Sequence, residues 1–311
     1  MQSREITTPC FEGRVKQSGK AIIISAPAKI NLFLKVTGKR PDGYHNIYSW
    51  FQAIDLADHL EIELQDDAGI EISTNLDDLP TGEDNLIFKA ARLIQDRSGV
   101  NAGFRVKLWK NIPVAAGLGG GSSDAAAFIK AADKLLNLGL SRAEMAEISL
   151  EIGSDVPFFF SRGQAEVTGR GEKIKDITLP TDYYIGLAIP PFHISAGEAY
   201  RKLKMDLTGL ISSVSLNCCQ QTGRLFGSIA AMANDLERAL LESYPILDKI
   251  KEELTKTGAD IVRLTGSGPT VFALYRDKEL ARKELARSFE RRGWGFKIAK
   301  PVILPVKMIG K

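Results

Sequence analysis

Long apolar runs are missing from this sequence. No stretch of 18 apolar residues occurs, which excludes a transmembrane helix of ordinary length. Residues 1–20 mix charge with polarity and lack the apolar centre of a secretory signal. They read as a short disordered or strand-like extension, and the expected location is the cytoplasm. Cysteine is scarce: Cys10, Cys218 and Cys219 are too few for a disulfide framework or a four-cysteine zinc site. His45, His59 and His193 show no metal-ligand spacing. An excess of one charge is missing too. The 41 Lys and Arg residues against 38 Asp and Glu leave a net charge of +3, so charge alone implies no nucleic-acid partner. There is no internal repeat and no low-complexity tract. What remains is ordinary: 44% hydrophobic and 25% charged residues over 311 positions, enough for a full core without staples and for one large or two smaller domains.

Predicted strands and helices alternate with Gly/Pro punctuation, so the chain is mixed α and β. Ala21–Gly38 reads as a long strand kinked at Pro27. Its period of two puts Lys29, Asn31, Phe33 and Lys35 on one face and Ile30, Leu32, Leu34 and Val36 on the other. Trp50–Leu64 predicts one or two strands, Asp84–Ser98 a helix, Phe104–Leu108 a strand, and Asp124–Leu138 an alanine-rich helix. Ser141 predicts the cap of a helix stopping at Gly153. The rhythm restarts near residue 180. Tyr183–Ile189 predicts a strand, followed by helices over Ala196–Lys204, Ser228–Glu242 and Ile246–Lys256. Two strands, Asp260–Leu264 and Thr270–Tyr275, flank a second glycine turn. A helix over Asp277–Arg292 and a strand from Phe296 close the chain.

The strongest signal lies between the strand ending near Ile112 and the alanine-rich helix. It runs Pro113, Val114, Ala115, Ala116, Gly117, Leu118, Gly119, Gly120, Gly121, Ser122, Ser123. Glycines let the backbone bend tightly and approach a ligand. The helix start offers unpaired N–H groups and the positive end of its dipole. Together these make a phosphate cradle. No Gly-Lys-Ser/Thr follows at the spacing of the common P-loop. Ser122 occupies the position where a dinucleotide fingerprint started at Gly117 needs glycine. A plain turn with a helix cap would gain nothing from so many glycines, each of which costs backbone entropy.

This loop resembles the phosphate loop of the GHMP kinases (galactose, homoserine, mevalonate and phosphomevalonate kinases). Four further segments resemble motifs of that family, in its order. They are Ala26-Pro27-Ala28-Lys29-Ile30-Asn31-Leu32-Phe33-Leu34, Arg40-Pro41-Asp42-Gly43-Tyr44-His45, Gly153-Ser154-Asp155-Val156-Pro157-Phe158-Phe159 and Leu264-Thr265-Gly266-Ser267-Gly268-Pro269-Thr270. The resemblance covers about residues 21–305. It implies an α+β fold of two domains: an N-terminal ATP-binding domain of the ribosomal-S5-domain-2-like type over 21–180 and a ferredoxin-like C-terminal domain over 181–311. Residues 1–20 stay outside as an extension.

Phosphoryl transfer to an alcohol needs the donor phosphates held, the moving charge stabilised and the hydroxyl oriented. Taken alone, an aspartate after a helix-ending glycine reads as a turn residue, and a strand lysine as a solvated one. The resemblance implies instead that Asp155 accepts the acceptor's proton and that Lys29 is the electrostatic stabiliser. It assigns ATP to the loop from Pro113 to Ser123. It assigns the acceptor to Asn31, Tyr44, His45, Tyr200, Gly266 and Ser267. Tyr200 reads equally as a core helix residue, and Gly266-Ser267 as a tight turn. The Gly-Tyr-His turn points to the branch of the family whose small-molecule acceptor carries a cytidyl diphosphate, since an aromatic stacks on a pyrimidine and a histidine bonds its polar edge. Magnesium is expected with ATP, with Ser123 or Ser122 as a ligand and the rest from phosphates and water. No nucleic acid and no membrane partner is expected, and the chain acts as a monomer or homodimer. Two alternatives stay open: another small-alcohol kinase of homoserine or mevalonate type, and a catalytically silent ATP-binding regulator.

Overall fold

The computed structural model describes residues 16–18, 21–203, 222–289 and 294–305, the first three by backbone alone. The vicinal Cys218-Cys219, read from sequence as a loop, and most of the N-terminal extension lie outside these residues. Two sheets organise the chain. The first joins β1 (Lys16–Ser18), β2 (Ala21–Lys39), β3 (His45–Gln65), β5 (Gly103–Trp109) and β4 (Ile70–Thr74) in that order. β3 is one strand of 21 residues. It pairs with β2 along most of its length, with β5 through His59–Gln65, and with β6 (Gln164–Gly169) through Ile47–Gln52. β7 (Lys173–Asp176) extends this second branch. Among the described strands only β4 and β5 run parallel.

β2 begins with alternating burial and becomes buried on both faces from Ala28 to Leu34. Helices cover one face there and the second sheet covers the other, so the period of two disappears from the hydrophobic pattern. The strand also breaks register at Pro27/Ala28, where proline offers no N–H, and again between Asn31 and Phe33. The second break corrects the alternation expected from sequence. Leu32 is the extra residue, so Leu34, not Phe33, joins Lys29 and Asn31 at the same cavity. Phe33 packs with Ile30, Leu32 and Trp50.

Helices α1 (Leu86–Ser98) and α2 (Gly120–Leu136) pack together on the first sheet. α2 buries Ala125 to Ile129 without a gap, as a helix enclosed on nearly all sides must. It starts at Gly120, four residues before the expected Asp124, so the glycine loop supplies its first turn. Helix α3 (Arg142–Ser149) carries a capping box between Ser141 and Glu144. A 3-10 helix, Val156–Phe160, follows.

The second sheet has the order β11 (Gly295–Ala299), β8 (Tyr184–Ile189), β10 (Val271–Tyr275), β9 (Ile261–Leu264), all antiparallel. Helices α4 (Ala196–Lys202), α5 (Thr222–Ala230), α6 (Asp235–Ser243) and α7 (Pro245–Lys256) lie between β8 and β9, and α8 (Lys278–Phe289) between β10 and β11. This is the ferredoxin-like path. One helix expected over Ser228–Glu242 is two. Asn234 separates them because its side chain accepts the Leu236 N–H at 3.1 Å and caps α6. After β11 the chain returns to the first sheet, where Val302 N–H bonds Ala53 O at 2.9 Å and Leu304 N–H bonds Arg162 O at 2.8 Å. No helix among the described residues is long and apolar enough to cross a membrane.

Candidate active site

The two glycine turns meet. Gly117 has φ 76°, and a β-carbon there would lie 2.9 Å from Gly268 O and closer still to Thr265 O. Asn31 N–H donates to Thr265 Oγ1 at 3.0 Å, and Asn234 Nδ2 donates to Leu264 O at 3.0 Å and to Gly266 O at 2.8 Å. Asn234 thus has a structural role. Asp235 extends the tie by accepting from Lys35 Nζ at 2.9 Å and Val36 N–H at 2.8 Å. First and second sheets are therefore joined by hydrogen bonds beside the loop.

Lys29 sits under that junction. Its backbone N–H bonds Leu118 O at 2.9 Å, and its side chain is only 4% exposed. Nζ donates to Asn31 Oδ1 at 2.8 Å, lies 4.6 Å from the Phe51 ring centroid, and stands 3.3 Å from Asp155 Oδ2. Asn31 Nδ2 in turn donates to Ser49 Oγ at 3.1 Å. The lysine is held before any ligand arrives, which removes the entropy of ordering it. Asp155 precedes the 3-10 helix, whose Val156, Phe158 and Phe159 anchor it in the core. The Asp155 side chain keeps 35% exposure and opens on the cavity that Lys29 lines.

That cavity has a volume of about 940 Å³. Gly117, Gly119 and Ser122 form its wall on the loop side, and Gly266 and Ser267 lie between the sheets. Ala116, Leu118 and Ser123 are buried instead, while Val114 is exposed. Tyr44, His45 and Tyr200 complete the far end. Tyr44 is 54% exposed, on a turn closed by Gly43 N–H to Arg40 O at 3.1 Å and Arg40 N–H to Tyr44 O at 2.8 Å. His45 stacks on Tyr200 at 5.1 Å between ring centroids, with an angle of 13°. Burial, then the charge of Lys39, lowers the His45 pKa. Burial, then the charge of Asp155, pushes the Tyr200 phenol up. The structure thus brings Lys29, Asn31, Tyr44, His45, Asp155, Tyr200, Gly266 and Ser267 to one cavity with the loop.

Three comparisons with known proteins bear on this arrangement. Residues 85–163 match the GHMP kinases N terminal domain and residues 216–291 match GHMP kinases C terminal. The chain is 42% identical to the 4-diphosphocytidyl-2-C-methyl-D-erythritol kinase of Geobacillus sp. (strain WCH70), over 84% of this chain and 91% of that protein. The chain belongs to this branch of the GHMP kinases. The protein of the same name from Bacillus subtilis (strain 168) is 44% identical over 81% of this chain and 88% of its own length. A crystal structure of 4-(cytidine 5'-diphospho)-2C-methyl-D-erythritol kinase superposes with TM-score 0.75 at 30% identity, covering 90% of this chain and 99% of that one. A homoserine kinase from Cytophaga hutchinsonii shares the fold, with TM-score 0.74 at 18% identity.

The kinase holds its glycine loop with a buried charge cluster that the sequence motifs do not reveal. Lys110 Nζ donates to Asp58 Oδ2 and, at 2.7 Å, to Asp124 Oδ2 in the second turn of α2. Asp58 Oδ1 accepts Asn111 N–H at 2.6 Å and Ile112 N–H at 2.8 Å, fixing the chain as it enters the loop. Burial raises the Asp124 pKa well above its ordinary value, against the charge of Lys110 and with that of Asp58. Burial pulls the Lys110 pKa down, but Asp124 and Asp58 more than offset it and leave it raised. Removing the lysine strands two carboxyls in the core. Lys110→Met is expected to cost about 3–5 kcal/mol of stability. A urea midpoint equal to that of the parent kinase contradicts this. The only sequence signal was a lysine just after a strand, and nothing in spacing pairs it with residues 52 positions before and 14 after it. Arg170, Lys39 and Arg201 also line the cavity and were not anticipated.

Proposed function

We propose that this kinase transfers the γ-phosphoryl group of ATP to the 2-hydroxyl of 4-diphosphocytidyl-2-C-methyl-D-erythritol. The observation that carries the reading is the Lys29–Asp155 pair, at 3.3 Å, facing the loop and the Tyr44–His45 turn across one cavity. The acceptor hydroxyl attacks the γ-phosphorus, the bond to the bridging oxygen breaks, and ADP leaves. Asp155 takes the hydroxyl proton. Lys29 places its charge where the transferring oxygens gain negative charge. The first turn of α2 and the loop from Pro113 to Ser123 hold the donor phosphates, with Gly117, Gly119 and Ser122 nearest the reaction.

Magnesium, when bound, neutralises phosphate charge. Among the described residues no group of three or more His, Cys, Asp or Glu offers it a cage. A donor set this sparse fits a hard cation held mostly by phosphate oxygens and water. Ser122 is the serine at the cavity wall, and Ser123 Oγ is buried without a hydrogen-bond partner, so we assign the protein ligand to Ser122.

Tyr44 is the stacking platform for the cytosine, because its ring is exposed while His45 and Tyr200 face each other. Tyr44→Ala should raise the KM for the cytidyl acceptor about tenfold and leave the KM for ATP unchanged. Equal weakening of both substrates would remove the stacking role. The substrate itself is tested by ADP release with the cytidylated acceptor, its uncytidylated counterpart, homoserine and mevalonate. Turnover is expected only with the first. Turnover of a small alcohol instead would discard the substrate and keep the fold.

A further inference from the structure

Arg170 stands on the turn between β6 and β7, next to the reacting end of the cavity. A β-carbon on Gly171 would lie 3.4 Å from Ser154 Cβ and 3.5 Å from Asp155 Oδ1, so this turn packs directly on the aspartate segment. The Arg170 backbone is fixed by its N–H bond to Glu172 Oε2 at 2.6 Å. Its guanidinium lies 5.3 Å from the Tyr44 ring centroid. The turn that packs on Asp155 therefore also carries a guanidinium beside the exposed aromatic. Among the described residues its guanidinium forms no ion pair, although its charge acts on Asp42 across the cavity mouth. The cavity wall carries Lys29, Lys39, Arg170 and Arg201 against the carboxylates of Asp42 and Asp155. That excess of cations suits an anionic ligand.

We infer that Arg170 is a specificity residue that reads the diphosphate of the acceptor. This rests on the function proposed above. The acceptor carries its groups in the same order as the wall: a hydroxyl to be phosphorylated, a diphosphate, then a pyrimidine nucleoside. With the hydroxyl at Asp155 and the base on Tyr44, the diphosphate lies against the guanidinium. The planar fork of arginine pairs with two phosphate oxygens at once, which a lysine cannot do. A small alcohol without a diphosphate gains nothing from such a group, so Arg170 favours the diphosphate-bearing acceptor over it.

Binding of cytidine 5'-diphosphate and of cytidine separates this role from a structural one. Titration calorimetry is run with the donor site filled by a non-hydrolysable ATP analogue. The parent enzyme should bind the diphosphate more tightly than the nucleoside. Arg170→Met should weaken the diphosphate at least about tenfold and leave cytidine and the ATP analogue unchanged. Arg170→Lys should recover part of the loss. Equal weakening of diphosphate and nucleoside, or no weakening, overturns the inference. So does a parent enzyme that binds both ligands equally, while its turnover of the cytidylated acceptor leaves the proposed function standing. A parent enzyme that does not phosphorylate that acceptor at all ends both.

Discussion

Asp155→Asn is expected to lower turnover about a hundredfold to ten-thousandfold, the range for loss of a general base, and to leave ATP binding intact. The substitution keeps the size of the side chain and removes its capacity to take a proton. Its neighbours argue for separability. The aspartate segment is anchored by the buried Val156, Phe158 and Phe159, so the backbone has no reason to move. The phosphate loop is held from the other side, by Lys29 N–H on Leu118 O and by the Lys110 cluster. Rapid-quench turnover and equilibrium binding of a non-hydrolysable ATP analogue, measured on the same variant, check both halves. Turnover within a few-fold of the parent would take Asp155 out of the mechanism. Loss of ATP binding together with turnover would make it a structural residue.

Gly117→Ala should be the most damaging single-methyl addition in the loop. At φ 76° a non-glycine residue costs about 1–3 kcal/mol from backbone strain alone. The new methyl also meets two backbone carbonyls of the second glycine turn, which have no rotamer by which to yield. The loop must then move away from Thr265 and Gly268, and the contact between the two sheets opens with it. A lowered urea midpoint and a raised KM for ATP are expected together. Gly121→Ala is the internal comparison for stability. Its β-carbon would meet only the Leu86 side chain, nearest at Cδ1, 3.5 Å away, inside a helix where alanine is preferred by roughly 0.5–1 kcal/mol. Equal urea midpoints for the two variants would contradict the packing described for Gly117.

Local chemistry made most of the fold legible. The capping box at Ser141, the amphipathic α1 and the alanine-rich α2 follow from side-chain spacing alone. The strand alternation failed where long-range geometry intervened. Nothing around Leu32 marks a bulge, because a bulge is set by how two strands fit together. Helix α2 starts inside the glycines because the loop's hydrogen bonds with Lys29 and the cluster around Lys110 outweigh the poor helix propensity of Gly120 and Gly121. The strands β4, β6 and β7 escaped notice because they are short or half-exposed and carry glutamate, lysine and glycine.

The site divides in the same way. Lys29, Asp155, Tyr44 and the loop sit in contiguous motifs, so the family resemblance singles them out where each residue alone would not. Arg170 and the Lys110–Asp58–Asp124 cluster are assembled from distant segments, and a lone arginine or aspartate in sequence reads as surface charge.

Transfer to the 2-hydroxyl is followed with ATP labelled in its γ-phosphate. The kinase is supplied with magnesium and 4-diphosphocytidyl-2-C-methyl-D-erythritol, and the product is examined by phosphorus NMR. One labelled phosphate per acceptor is expected, on the 2-hydroxyl, with one ADP formed for each. Label released as inorganic phosphate, or label found on a different hydroxyl, would contradict it.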